Sequence, residues 1–320
     1  MMRRRRLKPL KSDDTIAVVA PSSPTDPKAL ERGVRWIERL GLRVRLYPSV
    51  DARRGYLAGE DALRAEDFMR AWEDPDVRAV WAARGGYGAV RILDRLDVAR
   101  LRPHVKWLLG YSDVTALHAF VGRTLGVITL HAPVVERRAQ GVPQVQDRLL
   151  ADLLFGRVQT GPMLAPYVED DALRTLFNSM RVLAHGSAAG ALVGGNLSLV
   201  TSLLGTPWEV DTRGKILFLE DVGEAPYRID RLLCQLKLAG KLDAAAGILL
   251  GTFTDCEPGL NRPSLSLEDI WADYFSGMNK PVVIGFPAGH SLPNLPIPLG
   301  AHIRIETDPL QILLIESLYA

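Results

Sequence analysis

The stretch HVKWLLGYSDVTALHAFVGRTLG, residues 104–126, reads as a strand, a turn and a helix in immediate succession. Trp107, Leu108 and Leu109 form a short apolar run that Gly110 breaks, and Val114, Leu117 and Val121 then recur at helical spacing with His118 in register. Ser112 therefore stands on a strand-to-helix turn. Working outward, DTIAVVAPSS (14–23), PKALERGVRWIERLGLRVRLYP (27–48), LRAEDFMRAWEDP (63–75), VRAVWAARGGYG (77–88) and AVRILDRL (89–96) repeat the alternation of buried-strand signature, glycine or proline stop and helix. Strands alternating with helices of about ten residues predict a mostly parallel sheet covered on both faces.

The pattern weakens from 156 to 189, where GRVQTGPMLAPYVEDD carries glycine, proline and few periodic apolar residues. A second block follows: AAGALVGGNLSLVTSLLGTP (188–207; strand, glycine turn, helix), a strand ending in Glu220, the helix IDRLLCQLKLAGKL (229–242), and strands in AAAGILLGTFTD and KPVVIGFPAGHS. The end, GAHIRIETDPLQILLIE (300–316), reads as a hairpin around Thr-Asp-Pro. The expected organisation is α/β in two domains, as the length of 320 residues suggests: an N-terminal, mostly parallel domain over 1–155, a connection over 156–189 and a mixed α/β or β-rich domain over 190–320.

Composition narrows the function classes. The hydrophobic fraction is 47%, the charged fraction 24% and the formal charge +2, which are ordinary for a soluble globular chain. The basic opening MMRRRRLKP is followed by neither a basic stripe interleaved with aromatics nor an apolar signal-peptide core, so it reads as a solvated tail, with no nucleic-acid or membrane partner expected. Cys234 and Cys256 form no disulfide framework and lack CxxC spacing, which fits a reducing cytoplasm.

In open α/β sheets ligands gather beyond the carboxyl ends of the strands. Strand ends here carry Pro21-Ser22-Ser23, Arg84-Gly85-Gly86-Tyr87-Gly88, Gly110-Tyr111-Ser112-Asp113, Glu220-Asp221, Gly251-Thr252 and Gly289-His290-Ser291. That set contains a hydroxyl, a carboxylate and an imidazole. Ser112 has an alternative role as a helix N-cap, and the turn lacks the second glycine of G-x-S-x-G because Val114 stands there. His118 is six residues further along the helix and reads as an interior residue. Of the six histidines only His290 combines a strand end, a preceding glycine and a following proline-rich turn. Glu220 closes an apolar strand, where a carboxylate needs a partner, whereas Asp221 and Glu224 read as caps of the next helix. Competing cofactor sites fail: RGGYG has the wrong glycine order for a dinucleotide fingerprint, neither Gly-Lys pair continues as a P-loop, and no His or Cys pair has metal-ligand spacing. No cofactor or metal is expected.

With these residues assembled, the chain resembles the LD-carboxypeptidases, serine peptidases that act on muramoyl tetrapeptides. The matching stretches run in order along nearly the whole length: VVAPSSP, ARGGYGAVRIL, GYSDVTALH, LHAP, GGNLSLVTSLLGTP, LFLEDVGEAPYRIDRLLCQL, GTFTDCE and FPAGH. The resemblance implies a triad of Ser112 as nucleophile, His290 as base and Glu220 as its carboxylate partner, in a cleft between the domains. It maps the oxyanion-binding backbone N–H groups to Gly86 and Asp113. Arg84 and Tyr87 are the candidates for substrate contact, with Arg228 a further guess for the terminal carboxylate. It also implies release of a terminal D-alanine from cytoplasmic murein tetrapeptides, and a homodimer. Two other readings stay open: the family branch that destroys microcin C-like peptide-nucleotides, and a non-catalytic module that binds a small ligand.

Overall fold

The structure, a computed structural model, describes residues 4–136, 144–164, 167, 174, 175, 177, 179–259 and 263–320. The chain divides into two compact units, Met1–Val158 with Leu295–Gly300 and Leu318–Ala320, and Gln159–Asn294 with Ala301–Ser317.

The first unit contains β1 (Thr15–Val19), α1 (Pro27–Arg39), β2 (Arg43–Leu46), α2 (Asp61–Glu73), β3 (Val77–Ala82), α3 (Val98–Leu101), β4 (Trp107–Gly110), α4 (Thr115–Thr124), β5 (Thr129–His131) and α5 (Gln144–Leu154). Its sheet has the order Ile297–Leu299, β5, β4, β3, β1, β2. The pairs among β1–β5 are parallel, and Ile297–Leu299 is antiparallel to β5. The central strands are apolar runs because both of their faces are covered: β4 is buried throughout, as are Ile16–Val19 of β1. β2, at the sheet edge, is mostly exposed and carries Arg43 and Arg45, charges that discourage further strand pairing. Phe68, Trp72, Trp81 and Trp107 fill the core, and burying aromatic side chains contributes on the order of 1.5–3 kcal/mol apiece. α1 begins where the Asp26 side chain accepts a hydrogen bond from Ala29 N at 2.8 Å, with Pro27 in the first turn. Its buried face is Leu30, Gly33 and Ile37.

Two expectations are corrected in this unit. The described part of the basic N-terminus is not a solvated tail: Arg5 bridges Val127, Leu7 bridges Tyr319 and is 1% exposed, and Trp107 Nε1–H donates to Lys8 O at 2.9 Å. Apolar Leu7 anchors the segment, and the Arg5 guanidinium donates to the Arg102 carbonyl. The helix expected over 89–96 is a 3-10 helix, Ala89–Arg95.

The second unit contains β6 (Gly161–Pro162), β7 (Arg181–Ala184), β8 (Ser187–Asn196), α6 (Leu197–Ser202), β9 (Ile216–Val222), α7 (Pro226–Leu238), α8 (Lys241–Ala244), β10 (Gly247–Thr254), α9 (Leu267–Phe275), β11 (Val282–Ile284), β13 (His302–Thr307) and β14 (Leu310–Leu314), where β12 is the Ile297–Leu299 strand of the first sheet. The order is β6, β14, β13, β8, β9, β10, β11, β7. A parallel core of β8–β11 is flanked by antiparallel strands on both sides. The C-terminal hairpin is β13 and β14 around Asp308-Pro309.

The units differ from the sequence-based boundaries. Residues 181–184 and 187–189, assigned to the connection, are sheet strands, because Ala184 pairs with Val282 and Ala188 with Ile305. The segment 295–300 belongs to the first unit, because Ile297 pairs with His131. Positions 165, 166, 168–173, 176 and 178 of the expected connection lie outside the described residues. The glycine turn expected at Gly194-Gly195 is strand, paired with Phe218 and Leu219. Among the described residues no helix is long and apolar enough to cross a membrane.

Candidate active site

In the first unit, β4 ends at Gly110 and the chain turns through Tyr111 into a 3-10 turn, Ser112–Val114, before α4. Ser112 has φ +61, a left-handed conformation that an L-residue adopts only at a cost. The capping alternative does not describe this turn: the N-cap positions fall on Tyr111 and Val114, not on Ser112. A serine on a strained strand-to-helix turn has the local geometry of a nucleophile elbow, although Val114 departs from its sequence signature.

The RGGYG loop lies directly against this turn. A Cβ on Gly85 would stand 3.2 Å from Ser112 Cβ and 3.5 Å from its Oγ. Gly86 has φ +105, and a Cβ there would meet Ser23 Oγ at 2.2 Å, so only glycine brings this backbone N–H into such a place. The Asp113 carboxylate is 1% exposed and accepts a hydrogen bond from Ala89 N at 2.7 Å, and burial raises its pKa despite that bond and the nearby Ser22 hydroxyl. Bare backbone N–H groups beside a serine can hold an oxyanion. Arg84 is paired with Glu136 at 3.6 Å, and Tyr87 is 51% exposed with its ring edge-on to Tyr56 at 5.7 Å.

His118, read from sequence as an interior residue, is buried, and its Nε2–H donates to Gly110 O at 2.9 Å, tying α4 to the end of β4. Burial lowers its pKa to about 4, so it is a neutral structural group. Sequence reasoning passed over Arg64. It is fully buried on α2 and donates to the carbonyls of Pro21 and Gly88. Its spacing to Phe68 and Ala71, both buried, marks it as a member of the packed face.

In the second unit Glu220 lies in β9, 0% exposed, opposite Asn196 of β8. His290 follows β11 in a loop rather than at the strand end itself. The two meet: His290 Nδ1–H donates to Glu220 Oε2 at 2.7 Å. Gly289, with φ +134, permits the approach, since a Cβ there would sit 2.9 Å from Glu220 Oε2 and 2.5 Å from Thr252 Oγ1. Gly289 N–H is held by Asn294 Oδ1 at 3.0 Å, which fixes the backbone before His290. Burial raises the Glu220 pKa, while the His290 bond opposes that rise. An imidazole whose Nδ1–H is tied to a buried carboxylate presents Nε2 as a base.

The neighbouring carboxylates do other work, and neither caps α7, whose N-cap is Ala225 without a side-chain bond. Asp221 accepts from Asn196 Nδ2 at 2.8 Å, Ser198 N at 3.0 Å and Ser198 Oγ at 2.8 Å, holding the start of α6. Glu224, just before α7, pairs with Arg228 at 3.4 Å. Among the described residues no group of three or more His, Cys, Asp or Glu side chains is placed to hold a metal ion.

Residues 16–132 match the LD-carboxypeptidase N-terminal domain and residues 189–305 the LD-carboxypeptidase C-terminal domain. A probable murein peptide carboxypeptidase of Bacillus subtilis (strain 168) is 41% identical over 94% of this chain and 91% of its own. The murein tetrapeptide carboxypeptidase of Pseudomonas aeruginosa is 32% identical over 93% of this chain and 95% of its own. Among solved structures, the microcin C7 self-immunity protein MccF in its wild-type apo state superimposes with a TM-score of 0.85 at 25% identity, covering 99% of this chain and 100% of that one. The fold is that of a peptidase. The chain belongs to the LD-carboxypeptidase family and is a carboxypeptidase.

Proposed function

We propose that this carboxypeptidase is a serine enzyme that releases the terminal D-alanine of a murein tetrapeptide. Ser112 Oγ attacks the carbonyl of the third residue, and His290 Nε2 takes the hydroxyl proton. Glu220 holds the imidazole in the tautomer with Nδ1–H and stabilises the imidazolium. The N–H groups of Gly86 and Asp113 receive the oxyanion. Collapse of the tetrahedral intermediate breaks the peptide bond, His290 returns the proton to the departing amine of D-alanine, and water then hydrolyses the acyl-Ser112 ester by the same base. The terminal carboxylate needs a cationic or hydrogen-bonding partner, and we assign Arg84, next to Gly85, as the candidate, with Tyr87 flanking the substrate.

The observation that carries this reading is the 2.7 Å hydrogen bond between His290 and the fully buried Glu220 carboxylate, two residues that lie 70 positions apart in the chain. The relatives named for murein peptides support the substrate class. We place the reaction among recycled cell-wall peptides in the cytoplasm, a setting consistent with the free thiols of Cys234 and Cys256. The likeness to MccF favours a second reading, cleavage of a peptide-nucleotide of the microcin C type by the same three side chains.

The test is D-alanine release from a murein tetrapeptide by the protein and its Ser112→Ala variant, with a microcin C-type substrate in parallel. Loss of activity by about 10⁶ in a folded Ser112→Ala protein supports the serine mechanism. Cleavage of the peptide-nucleotide alone would transfer the protein to the second reading, and activity that survives Ser112→Ala would refute both.

A further inference from the structure

The loop that carries Gly86 is suspended from three side chains of its own unit. Ser23, beyond β1, accepts a hydrogen bond from Tyr87 N at 3.1 Å through its Oγ, and its N–H donates to Gly85 O at 3.2 Å. Asp113, beside the nucleophile, takes Ala89 N at 2.7 Å. Arg64, from α2, donates through Nη1 to Gly88 O at 2.9 Å and to Pro21 O, and through Nη2 to Asp61. Asp61 in turn binds Arg91, which follows the loop, with Nε at 3.1 Å and Nη2 at 2.8 Å.

Arg64 is out of proportion to a packing role. Its side chain is 0% exposed, with one carboxylate and two carbonyls as its partners. A buried guanidinium carries a desolvation penalty that an apolar residue of similar volume avoids. What an apolar residue cannot do is hold two peptide planes at once, one in the Pro21-Ser22-Ser23 segment and one at Gly88. Those planes bracket the Gly86 N–H: Ser23 grips the loop at Gly85 and Tyr87, and Gly88 closes it before the 3-10 helix.

We propose that Arg64 is a positioning residue for the oxyanion site, setting the Gly86 N–H against Ser112 by clamping the Pro21 and Gly88 carbonyls together. The proposal rests on the serine-peptidase reading. Arg64 touches no reacting atom; it acts through the loop, so its loss weakens binding of the tetrahedral intermediate and leaves ground-state binding nearly intact.

The experiment compares Arg64→Gln, Arg64→Lys and Ser23→Ala with the parent protein. Three quantities are read: kcat and KM for D-alanine release, the rate at which an alkyl fluorophosphonate labels Ser112, and the Ki of a peptide boronic acid that forms a tetrahedral adduct. The expected result for Arg64→Gln is a fall of about 10- to 100-fold in kcat, the scale of a small misplacement of catalytic groups, with KM within about threefold. The boronate Ki rises and the labelling rate falls by the same factor as kcat. Arg64→Lys, which keeps a donor for one carbonyl, recovers part of the loss. Ser23→Ala, a small change on the other side of the loop that is expected to fold even if an Arg64 variant does not, moves the three readouts in the same direction by a few-fold. Thermal destabilisation with kcat, boronate affinity and labelling within twofold of the parent would make Arg64 a packing residue and overturn the inference. Labelling or turnover that persists in Ser112→Ala would instead remove the peptidase reading beneath it, so the two failures are told apart.

Discussion

Ser112 is held at φ +61, and the cost of that conformation should be measurable as a stability difference between two inactive variants. An L-residue in the left-handed region costs about 1–2 kcal/mol, which glycine does not incur. Glycine brings its own cost of about 0.5–1 kcal/mol relative to alanine, through the greater freedom of the unfolded chain. The difference predicts that Ser112→Gly is more stable than Ser112→Ala by about 1 kcal/mol, which in a unit of this size is a Tm higher by about 2–4 °C. Ala119 supplies the control, since it lies inside α4, where Ala119→Gly should cost about 1 kcal/mol in the opposite direction. Urea and thermal unfolding followed by tryptophan fluorescence reads both pairs; Trp72, Trp81 and Trp107, buried in the same unit, report on it. Both Ser112 variants should be inactive, so strain and chemistry separate. A Ser112→Ala protein as stable as Ser112→Gly, or more so, would refute the claim that the Ser112 turn is strained.

Further outcomes follow from the same geometry. Glu220→Gln should lower kcat by about 10⁴, as loss of the carboxylate does in other triads, while stability at pH 8 does not fall. The sign comes from the raised pKa: ionising the buried Glu220 carries no penalty below its ordinary value of 4.5, the penalty grows as pH rises through the folded-state value, and glutamine abolishes it, which pH-dependent urea titrations of the two proteins will show. Gly289→Ala, which drives a Cβ towards Glu220 Oε2 at 2.9 Å, should remove the downfield Nδ1–H proton resonance of His290 and at least about 10² of kcat. His118, with a pKa near 4 in the fold and 6.5 when unfolded, takes up a proton more readily when unfolded, so its contribution of about 3 kcal/mol is present above pH 6.5 and lost as pH falls towards 4. His118→Gln should flatten that part of the stability profile. Asp221→Ala should cost about 2–3 kcal/mol by leaving its buried donors unpaired, whereas Glu224→Ala, which removes the ion pair with Arg228, should stay within about 0.5 kcal/mol in the same unfolding assay.

The parallel cores of both sheets were legible because strands buried on two faces are written as unbroken apolar runs, such as Ile216–Leu219 and Val80–Ala82. What escaped were elements whose existence depends on partners far along the chain. Gly161–Pro162 is a strand only because Gly161 finds Leu314, and Ile297–Leu299 joins the first sheet only because it finds β5, more than 160 residues behind it. Neither segment has a period to read. The site divided the same way. Ser112 and Glu220 were singled out as polar residues following apolar runs, and glycines marked the close approaches, whereas His290 lies in a loop beyond β11. Arg64 did not, because a charged residue on a helix reads as solvated, and only its register with Phe68 and Ala71 betrays that it points inward. The role of the Asp113 side chain was equally hidden, since its bond to Ala89 joins two turns that sequence treats separately.

Glu220 and Asp221 show how finely local geometry assigns roles. They are adjacent, both acidic and both buried, and composition cannot rank them. Strand parity separates them, because successive side chains of β9 leave opposite faces of the sheet. Asp221 therefore faces the start of α6, where Asn196 and Ser198, only about 25 residues back, saturate its oxygens with donors. A carboxylate so enclosed by nearby donors stabilises a turn and has nothing left to offer a reaction. Glu220 instead accepts the Nδ1–H of His290 at 2.7 Å. A carboxylate kept buried with its pKa raised, and satisfied chiefly by a histidine, costs stability that a glutamine would not. On the serine-peptidase reading proposed above, that cost keeps a negative charge beside the imidazole at the moment it becomes positive.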